Sequence, residues 1–413
     1  MRHFNLDSMQ FYSLMVAFIA LLFFPSFFYV VMSSTSTALG LFFALFIIFF
    51  VTVSRVQFSY KLLSNILIII CSLLSVFFVY CFFAFGFGEY PTDSRVIYSG
   101  ILIVCIILSS CFFSVYLTRA ADASFIKAIR LLAMLALLIG VYSIFSDQNF
   151  IGYERYSKSV FPFAEPSHYA ITLGPILFSA GFLLAVKFRM ALIIFSLFFS
   201  IATPSLVMLL FTILMILLYF KWSATRLAVM GISIPVFLLL LFSSEQGGYF
   251  LDRLSFSGSS TNLTALVYMQ GWEDMFNALR DSNWLGIGFQ NLGILSPGYY
   301  GDIIYSLAGE YKNRADGGFL ASKIIAEFGV LGVSLIIIYL LFFSKSLLFL
   351  FRFIGGDFNN SPTVSVFSNA IIVAFFIELF ARGSGYFTPG FFLVLTSFFA
   401  LSISANMKRT CYE

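Results

Sequence analysis

The chain has 413 residues, of which 61% are hydrophobic and 10% are charged, and its mean hydropathy is +0.99. An ordinary soluble domain has about 25% charged residues, and 57 Phe side chains would promote aggregation in water but not in lipid, so this composition excludes a water-soluble fold. The net charge of +4 includes no dense Lys/Arg run, which argues against a nucleic-acid partner.

Apolar segments that can enter a bilayer follow one another along most of the chain. A membrane-spanning helix needs about 20 apolar residues, and fewer if it is tilted or re-entrant. The first segment is longer than a signal-peptide core and lacks a small-residue cleavage site, so we interpret it as a retained span. We therefore predict an all-α, polytopic transmembrane bundle of about twelve helices, forming a single membrane domain over 1–413. The predicted segments are 11–32, 38–53, 62–85, 97–117, 124–145, 167–186, 190–201, 205–220, 227–242, 318–344, 363–381 and 386–405.

The distribution of basic residues sets the orientation of these spans, because short cytoplasmic loops are enriched in Lys and Arg. A cytoplasmic N-terminus assigns most of the 23 Lys and Arg residues to the inner side. The short outer loops then keep only Arg95, Arg155, Lys158 and Arg382. Both chain termini are therefore predicted to be cytoplasmic.

The segment before the sixth span combines a carboxylate, a proline and a histidine. Its sequence is Phe-Ala-Glu-Pro-Ser-His at 163–168, which puts Glu165 at the positive end of the helix dipole and Pro166 in the first turn. The simpler interpretation is a helix cap. The functional interpretation is that Glu165 and His168, one turn apart, bind substrate hydroxyls or take a proton from one.

One long outer loop, 243–317, lies between the ninth and tenth spans and is the only soluble-looking stretch of any size. After a Ser/Gly-rich start at 255–260, we predict an amphipathic helix from Asn262 to Arg280 that rests on the membrane surface. Asn-Trp-Leu-Gly-Ile-Gly-Phe follows at 283–289. We predict a tight turn there, whose glycines either admit a ligand or another stretch of backbone, or simply allow packing.

The loop ends at Arg-Ala-Asp-Gly-Gly-Phe, residues 314–319, which open the tenth span. We predict that Asp316 caps this helix. Glu327 lies inside the helix near the membrane boundary, where an unpaired carboxylate is costly. Lys323, four residues earlier, is the expected partner.

A set of arginines is predicted on the outer face against the usual charge bias: Arg155, Arg253, Arg280, Arg314 and Arg382. Guanidinium binds phosphate bidentately and stays charged, so these side chains can hold a diphosphate without a metal and stabilise it as a leaving group. The alternative is that they are solvated or snorkelling charges. Arg382 is the strongest candidate for a diphosphate ligand, because the glycines of its short loop allow close approach of a ligand. Tyr386 and Phe387 beside it fit an interfacial aromatic belt equally well.

Several familiar sites are missing from the sequence. It contains no GxxxxGK[ST] loop for nucleotide phosphates and no Asp-x-Asp pair for the metal of a sugar nucleotide. His3 and His168 are the only histidines, which excludes a metal site built from histidines. Cytoplasmic nucleotide chemistry is therefore disfavoured, and we expect neither a metal nor a cofactor.

The motifs at 163–168, 283–289, 316–332 and 382–387 together resemble those of the superfamily of O-antigen polymerases (Wzy) and O-antigen ligases, in the expected order along the chain. The resemblance implies a metal-independent glycosyltransferase of the bacterial inner membrane, with a periplasmic active face. Donor and acceptor would both be oligosaccharides linked to undecaprenyl diphosphate, in contact with membrane lipid. A chain-length regulator protein is a further partner that the resemblance allows.

Within this resemblance, Arg253, Arg280, Arg314 and Arg382 would hold diphosphate, and Glu165, His168 and Asp316 would bind sugar or transfer a proton. Members of the family often carry an Arg about four turns before the Gly-x-Gly segment, but residues 264–269 contain none. Either Arg253 or Arg280 then substitutes for it, or the diphosphate is held differently.

Two other functions compete with a polymerase. A ligase would pass the glycan to the lipid A core, but ligases of the superfamily place a catalytic His in the long outer loop, and 243–317 contains none. A flippase or transporter for lipid-linked oligosaccharides should carry polar groups through the midplane and show two related halves. The chain instead has one long outer loop and keeps nearly all its charge near the surface, which ranks transport lower.

Overall fold

The computed structural model describes residues 2–34, 36–56, 60–87, 94–146, 152–154, 156, 158–221, 231, 245–253, 260–357 and 361–410. These residues form helices and turns, with one isolated bridge between Val160 and Phe163 and no strand among them. The helices are α1 (Arg2–Val31), α2 (Ala38–Val53), α3 (Tyr60–Phe87), α4 (Ser94–Arg119), α5 (Asp122–Phe145), α6 (Pro166–Leu183), α7 (Val186–Ala202), α8 (Leu206–Leu218), α9 (Glu245–Arg253), α10 (Leu263–Asp281), α11 (Tyr299–Ala308), α12 (Leu320–Gly355), α13 (Thr363–Phe380) and α14 (Pro389–Thr410). The described chain is all-α, as predicted.

Five of the described helices are long and apolar enough to cross a membrane: Ser8–Val31 of α1, and the whole of α4, α5, α12 and α13. Shorter apolar helices, including α2 and α8, accompany them. Hydrocarbon offers no partner to a backbone amide, so segments of this composition fold as helices whose amides bond internally. The chain is a helical membrane protein.

Each predicted segment except the ninth coincides with a helix. The ninth segment, 227–242, lies almost entirely outside the described residues, as does most of the Ser/Gly-rich stretch at 255–260. The seventh and eighth segments are two short helices, and the break between them falls at Thr203–Ser205, as predicted. Pro204 causes the break because it has no amide hydrogen to continue α7, and the Ser205 hydroxyl then caps α8 by accepting from the Met208 amide at 3.4 Å.

Helix α6 occupies the centre of the bundle and packs against α5, α8 and α13. Nearly all of its residues are buried, as expected for a helix that is apolar all round. Gly174 and Gly181 allow the rings of Phe211 and Tyr219 to lie against its backbone, where a Cβ would collide with them. This close contact fixes α6, whose N-terminus carries Glu165.

Helix α12 is interrupted near its start by Gly329, whose backbone is non-helical (φ 53°, ψ −131°). The turn at 283–289 fills the interruption: two of its amides donate to the carbonyls of Ala326 and Glu327, each at 3.0 Å. A Cβ on Gly286 of this turn would collide with the α12 backbone. The predicted turn is confirmed, and its glycines admit backbone, which satisfies polar groups that lipid could not.

The amphipathic helix predicted at 262–280 is confirmed as α10. The Asn262 side chain caps it by accepting from the amides of Thr264 and Ala265, at 3.0 and 3.3 Å. Glu273 of α10 accepts from the first amides of α11 at 2.8 and 2.9 Å, where a carboxylate offsets the helix dipole. Helix α10 also packs on α12, so the helices of the long loop are held against the broken helix.

Candidate functional site

The predicted site residues of α6, α9 and the loop between α13 and α14 meet at a cavity of about 1250 Å³. Basic side chains outnumber carboxylates among the residues that line it. The carboxylates are Glu165 and Asp316, and the basic residues are Arg95, Lys158, Arg253, Lys312, Lys323 and Arg382. A concave surface with this excess of positive charge attracts anions.

Glu165 occupies the N-cap position of α6 with Pro166 in the first turn, as predicted, but its side chain makes no capping hydrogen bond. Its Oε2 atom instead accepts from the Ser167 hydroxyl at 2.9 Å and from Arg382 Nη2 at 3.1 Å. The side chain is 49% exposed and faces the cavity. A capping role therefore does not explain this carboxylate.

The charge state of Glu165 follows from its neighbours. Burial alone would raise the pKa of its carboxyl, but the positive charge of Arg382 opposes this, helped by His168, the Ser167 hydroxyl and Arg253. The balance holds the pKa below its usual value. Glu165 is therefore ionised at neutral pH and acts as a hydrogen-bond acceptor.

Arg382 stands in the short loop between α13 and α14, residues 381–388, which we call the arginine loop. Thr37 Oγ1 donates to the Phe387 carbonyl at 2.8 Å, and the Tyr386 hydroxyl donates to Glu327 Oε2 at 2.7 Å. Tyr386 is only 4% exposed, so it is an anchor and not part of an interfacial belt. These contacts fix the loop, while the Arg382 side chain keeps 23% of its exposure beside the cavity.

The predicted pair of Lys323 and Glu327 is confirmed. Lys323 Nζ lies 2.7 Å from Glu327 Oε1, and the two side chains are 1% and 0% exposed. Lys323 Nζ also donates to the Ala315 carbonyl at 2.5 Å. Because buried charges persist only when paired and hydrogen-bonded, this network ties the end of the long loop, the start of α12 and the arginine loop into one wall.

Arg253 ends α9 and reaches the same cavity. Its guanidinium carbon lies 4.2 Å from the centre of the Tyr249 ring, and its buried Nε atom has no hydrogen-bond partner among the described residues. Burial, together with the nearby charge of Arg382, lowers the pKa of Arg253, although Tyr249 and Glu165 oppose this. A buried donor without a partner is costly unless an incoming group satisfies it.

His168 and Asp316 line the cavity as well. The His168 ring meets the Tyr29 ring edge-on at 6.1 Å. Asp316 lies beside Gly385, where a Cβ would be 3.1 Å from its Oδ1 atom. The prediction that Asp316 caps the tenth span is wrong: Phe319 is the N-cap of α12, because the left-handed Gly317 and Gly318 turn the chain between Asp316 and the helix.

Two of the predicted diphosphate ligands, Arg280 and Arg314, do not line the cavity that Arg253 and Arg382 line. Arg280 is 75% exposed and pairs with its neighbour Asp281 at 3.2 Å. Arg314 is 12% exposed, lies 3.9 Å from Asp274 and donates to the Leu295 carbonyl. Both belong to contacts within the long loop. Arg155 lies outside the described residues.

The structure adds cavity residues that lie outside the sequence motifs. Arg95, Lys158 and Lys312 line the cavity although none belongs to a recognised motif. The distribution of basic residues did indicate Arg95 and Lys158, because it assigned both to short outer loops, as it did Arg382. Sequence separation hid the connection of Arg95, because α4 reaches the arginine loop only through its packing on α2 and α14.

Another part of the cavity wall is apolar. Helices α8 and α13 contribute Leu210, Ile213, Leu217, Phe376 and Phe380. A cavity with guanidinium groups and an apolar wall suits an amphipathic anion, which needs both kinds of surface.

Comparison of the sequence with protein-family models and curated proteins, and of the structure with solved structures, finds no match.

Proposed function

We propose that the protein is an O-antigen or polysaccharide repeat-unit polymerase. It transfers a glycan from undecaprenyl diphosphate to a second lipid-linked repeat unit, without a metal. The bond between the anomeric carbon and the diphosphate oxygen breaks, a bond from that carbon to an acceptor oxygen forms, and the acceptor hydroxyl loses its proton. The diphosphate leaves as an anion on its lipid carrier.

The observation that carries this proposal is the cluster of Arg253, Arg382 and Glu165 at a cavity with an apolar wall. Arg253 brings a buried donor that has no partner among the described residues. Arg382 is held by a single carboxylate oxygen, at 3.1 Å, which leaves its other donors for a ligand. Two guanidinium groups aimed at one diphosphate stabilise the charge that develops on the leaving group, and the apolar wall suits the prenyl chain.

The groups that can accept the acceptor proton are Glu165, His168 and Asp316, because all three line the cavity. Glu165 is ionised but shares its Oε2 atom with Arg382 and Ser167, which favours a role in positioning Arg382. No described basic side chain lies within 4 Å of Asp316. Asp316 is therefore the strongest candidate for the general base.

The topology that fits this function has about twelve spans. The chain lies in the bacterial inner membrane with both termini in the cytoplasm. The loop 243–317 and the arginine loop then face the periplasm, where lipid-linked repeat units are joined, and a chain-length regulator protein is the partner expected there.

A ligase and a flippase are the competing functions, and a gene deletion distinguishes them from a polymerase. Cells without a polymerase should cap the lipid A core with one repeat unit, which gives a single band above the core on a polysaccharide gel. Loss of a ligase or a flippase should leave the core uncapped. A deletion strain that shows only uncapped core therefore rejects the polymerase.

A further inference from the structure

The polymerase reaction that we propose brings two lipid diphosphates into one site, since the donor and the acceptor each carry one. The Arg253–Arg382 cluster faces one side of the arginine loop, toward Glu165 of α6. The cavity is larger than the roughly 300–1000 Å³ that a site for one small ligand occupies, at about 1250 Å³. Its volume therefore leaves room for a second head group.

The other side of the arginine loop is formed by α2 and α4. The hydrogen bond from Thr37 to the Phe387 carbonyl puts the start of α2 directly against the loop. Helix α4 packs on α2 and on α14, which follows the loop. Ser36, Arg95 and Ser99 from this side line the same cavity, and we call these three residues the α4 wall.

The α4 wall offers hydrogen-bond donors to an anion. Arg95 and Ser99 are four residues apart on α4, so they lie on one face of the helix, and both line the cavity. No described carboxylate lies within 4 Å of Arg95. Ser36 Oγ accepts from the Ala38 amide at 3.0 Å, which leaves its hydroxyl hydrogen to donate.

We propose that the α4 wall binds the diphosphate of the second carrier, with Arg95 as its principal ligand. This assignment rests on the proposed polymerase function. The cations of the cavity fit it: each diester diphosphate carries roughly two negative charges, and Arg95 adds a cation with no described carboxylate within 4 Å, whereas Lys323 and Lys312 are already paired with Glu327 and Glu310.

Native mass spectrometry of the purified protein in nanodiscs of neutral lipid tests this site, with geranylgeranyl diphosphate as the probe. Wild type should bind two molecules per chain. Arg95→Ala should bind one, and Arg95→Lys should keep the second at reduced occupancy, because Lys retains the charge but not the bidentate geometry. Arg119→Ala, at the opposite end of the same helix, is the matched control and should bind two.

Several results would contradict the proposal, and they separate it from the polymerase function. If Arg95→Ala still binds two molecules, the second site is refuted while the first stands. The same holds if wild type binds one molecule, and Arg382→Ala but not Arg95→Ala abolishes this binding. If wild type binds none, both proposals fail. If added phosphatidylglycerol displaces the second molecule from wild type, the α4 wall is a site for membrane phospholipid and not for a diphosphate carrier.

Discussion

Two pairs of arginines, all predicted on the same face of the membrane, have different surroundings. Arg280 and Arg314 lie in contacts of the long loop with Asp281 and Asp274. Arg253 and Arg382 face a cavity, where Arg382 is paired with Glu165. Residue type and membrane face therefore do not identify a ligand site. What distinguishes the two pairs is whether their donors are directed into space that a substrate can occupy.

The two pairs of arginines also differ in the energy of their interactions. A pair between exposed charges such as Arg280 and Asp281 contributes about 0–1 kcal/mol, because water screens it. The cavity guanidiniums are partly removed from water, so a diphosphate that reaches them gains charge-assisted hydrogen bonds of larger energy. Substitutions in the two pairs should therefore have different kinds of effect, and not only different sizes.

The largest effect is expected for Arg382→Ala. Loss of a preorganised donor to the leaving diphosphate should reduce polymerisation by about 100-fold or more, measured as polymer formed from lipid-linked repeat units in proteoliposomes. Arg382→Lys should retain part of the activity, because the charge remains. Normal polymer ladders from Arg382→Ala, with the protein present in the membrane, would show that Arg382 does not act at the site.

Arg253→Ala should have a smaller effect, a loss of about 10-fold. Its guanidinium is oriented by the Tyr249 ring at 4.2 Å, so Tyr249→Phe, which keeps an aromatic ring, is the matched control and should retain activity. The same assay measures both variants. Equal losses from Arg253→Ala and Tyr249→Phe would show that α9 acts by packing and not by contact with the diphosphate.

For Arg314 and its neighbour Asp274, the expected effect is on the pH dependence of folding stability. Burial raises the pKa of Asp274 to about 6, although Arg314 opposes this. The folded state thus holds the proton more tightly than the unfolded state, so this contribution to stability is greatest below about pH 4, falls as the pH rises to about 6, and stays low above it. Asp274→Asn should match wild type near pH 4 and exceed its stability by about 2 kcal/mol at pH 8.

Thermal unfolding of the purified protein at the two pH values measures this difference. Asp281→Asn, which changes the exposed pair, is the control and should show no such dependence on pH. If Asp274→Asn is instead less stable at pH 8, the attraction of the ionised Asp274 to Arg314 outweighs the effect of burial, and the proposed rise in pKa is contradicted.

The smallest effect is expected for Arg280→Ala. Its side chain is 75% exposed and lies outside the cavity, so polymerisation should stay within about twofold of wild type and stability within about 0.5 kcal/mol. A loss as large as that of Arg382→Ala would place Arg280 at the substrate after all. The contrast between the two arginine pairs would then disappear.

Local signals made much of the fold predictable. The hydropathy of each span, the cap at Asn262, the break at Pro204 and the pairing of Lys323 with Glu327 depend on residues within a turn or two of one another. The assembly of the site depends on contacts across the chain, such as Glu165 with Arg382. The neighbouring Asp281 was a local signal for the contact of Arg280, but no local pattern could show that Arg314 would lie beside Asp274.

The affinity for undecaprenyl diphosphate shows whether the cavity arginines bind the diphosphate. The protein in nanodiscs of neutral lipid should bind it tightly, Arg253→Ala/Arg382→Ala should lose about 100-fold or more in affinity, and Arg280→Ala/Arg314→Gln should stay within about threefold of wild type. Equal affinity in all three proteins, with each shown to be folded by its melting temperature, would contradict the claim that the cavity arginines bind the diphosphate.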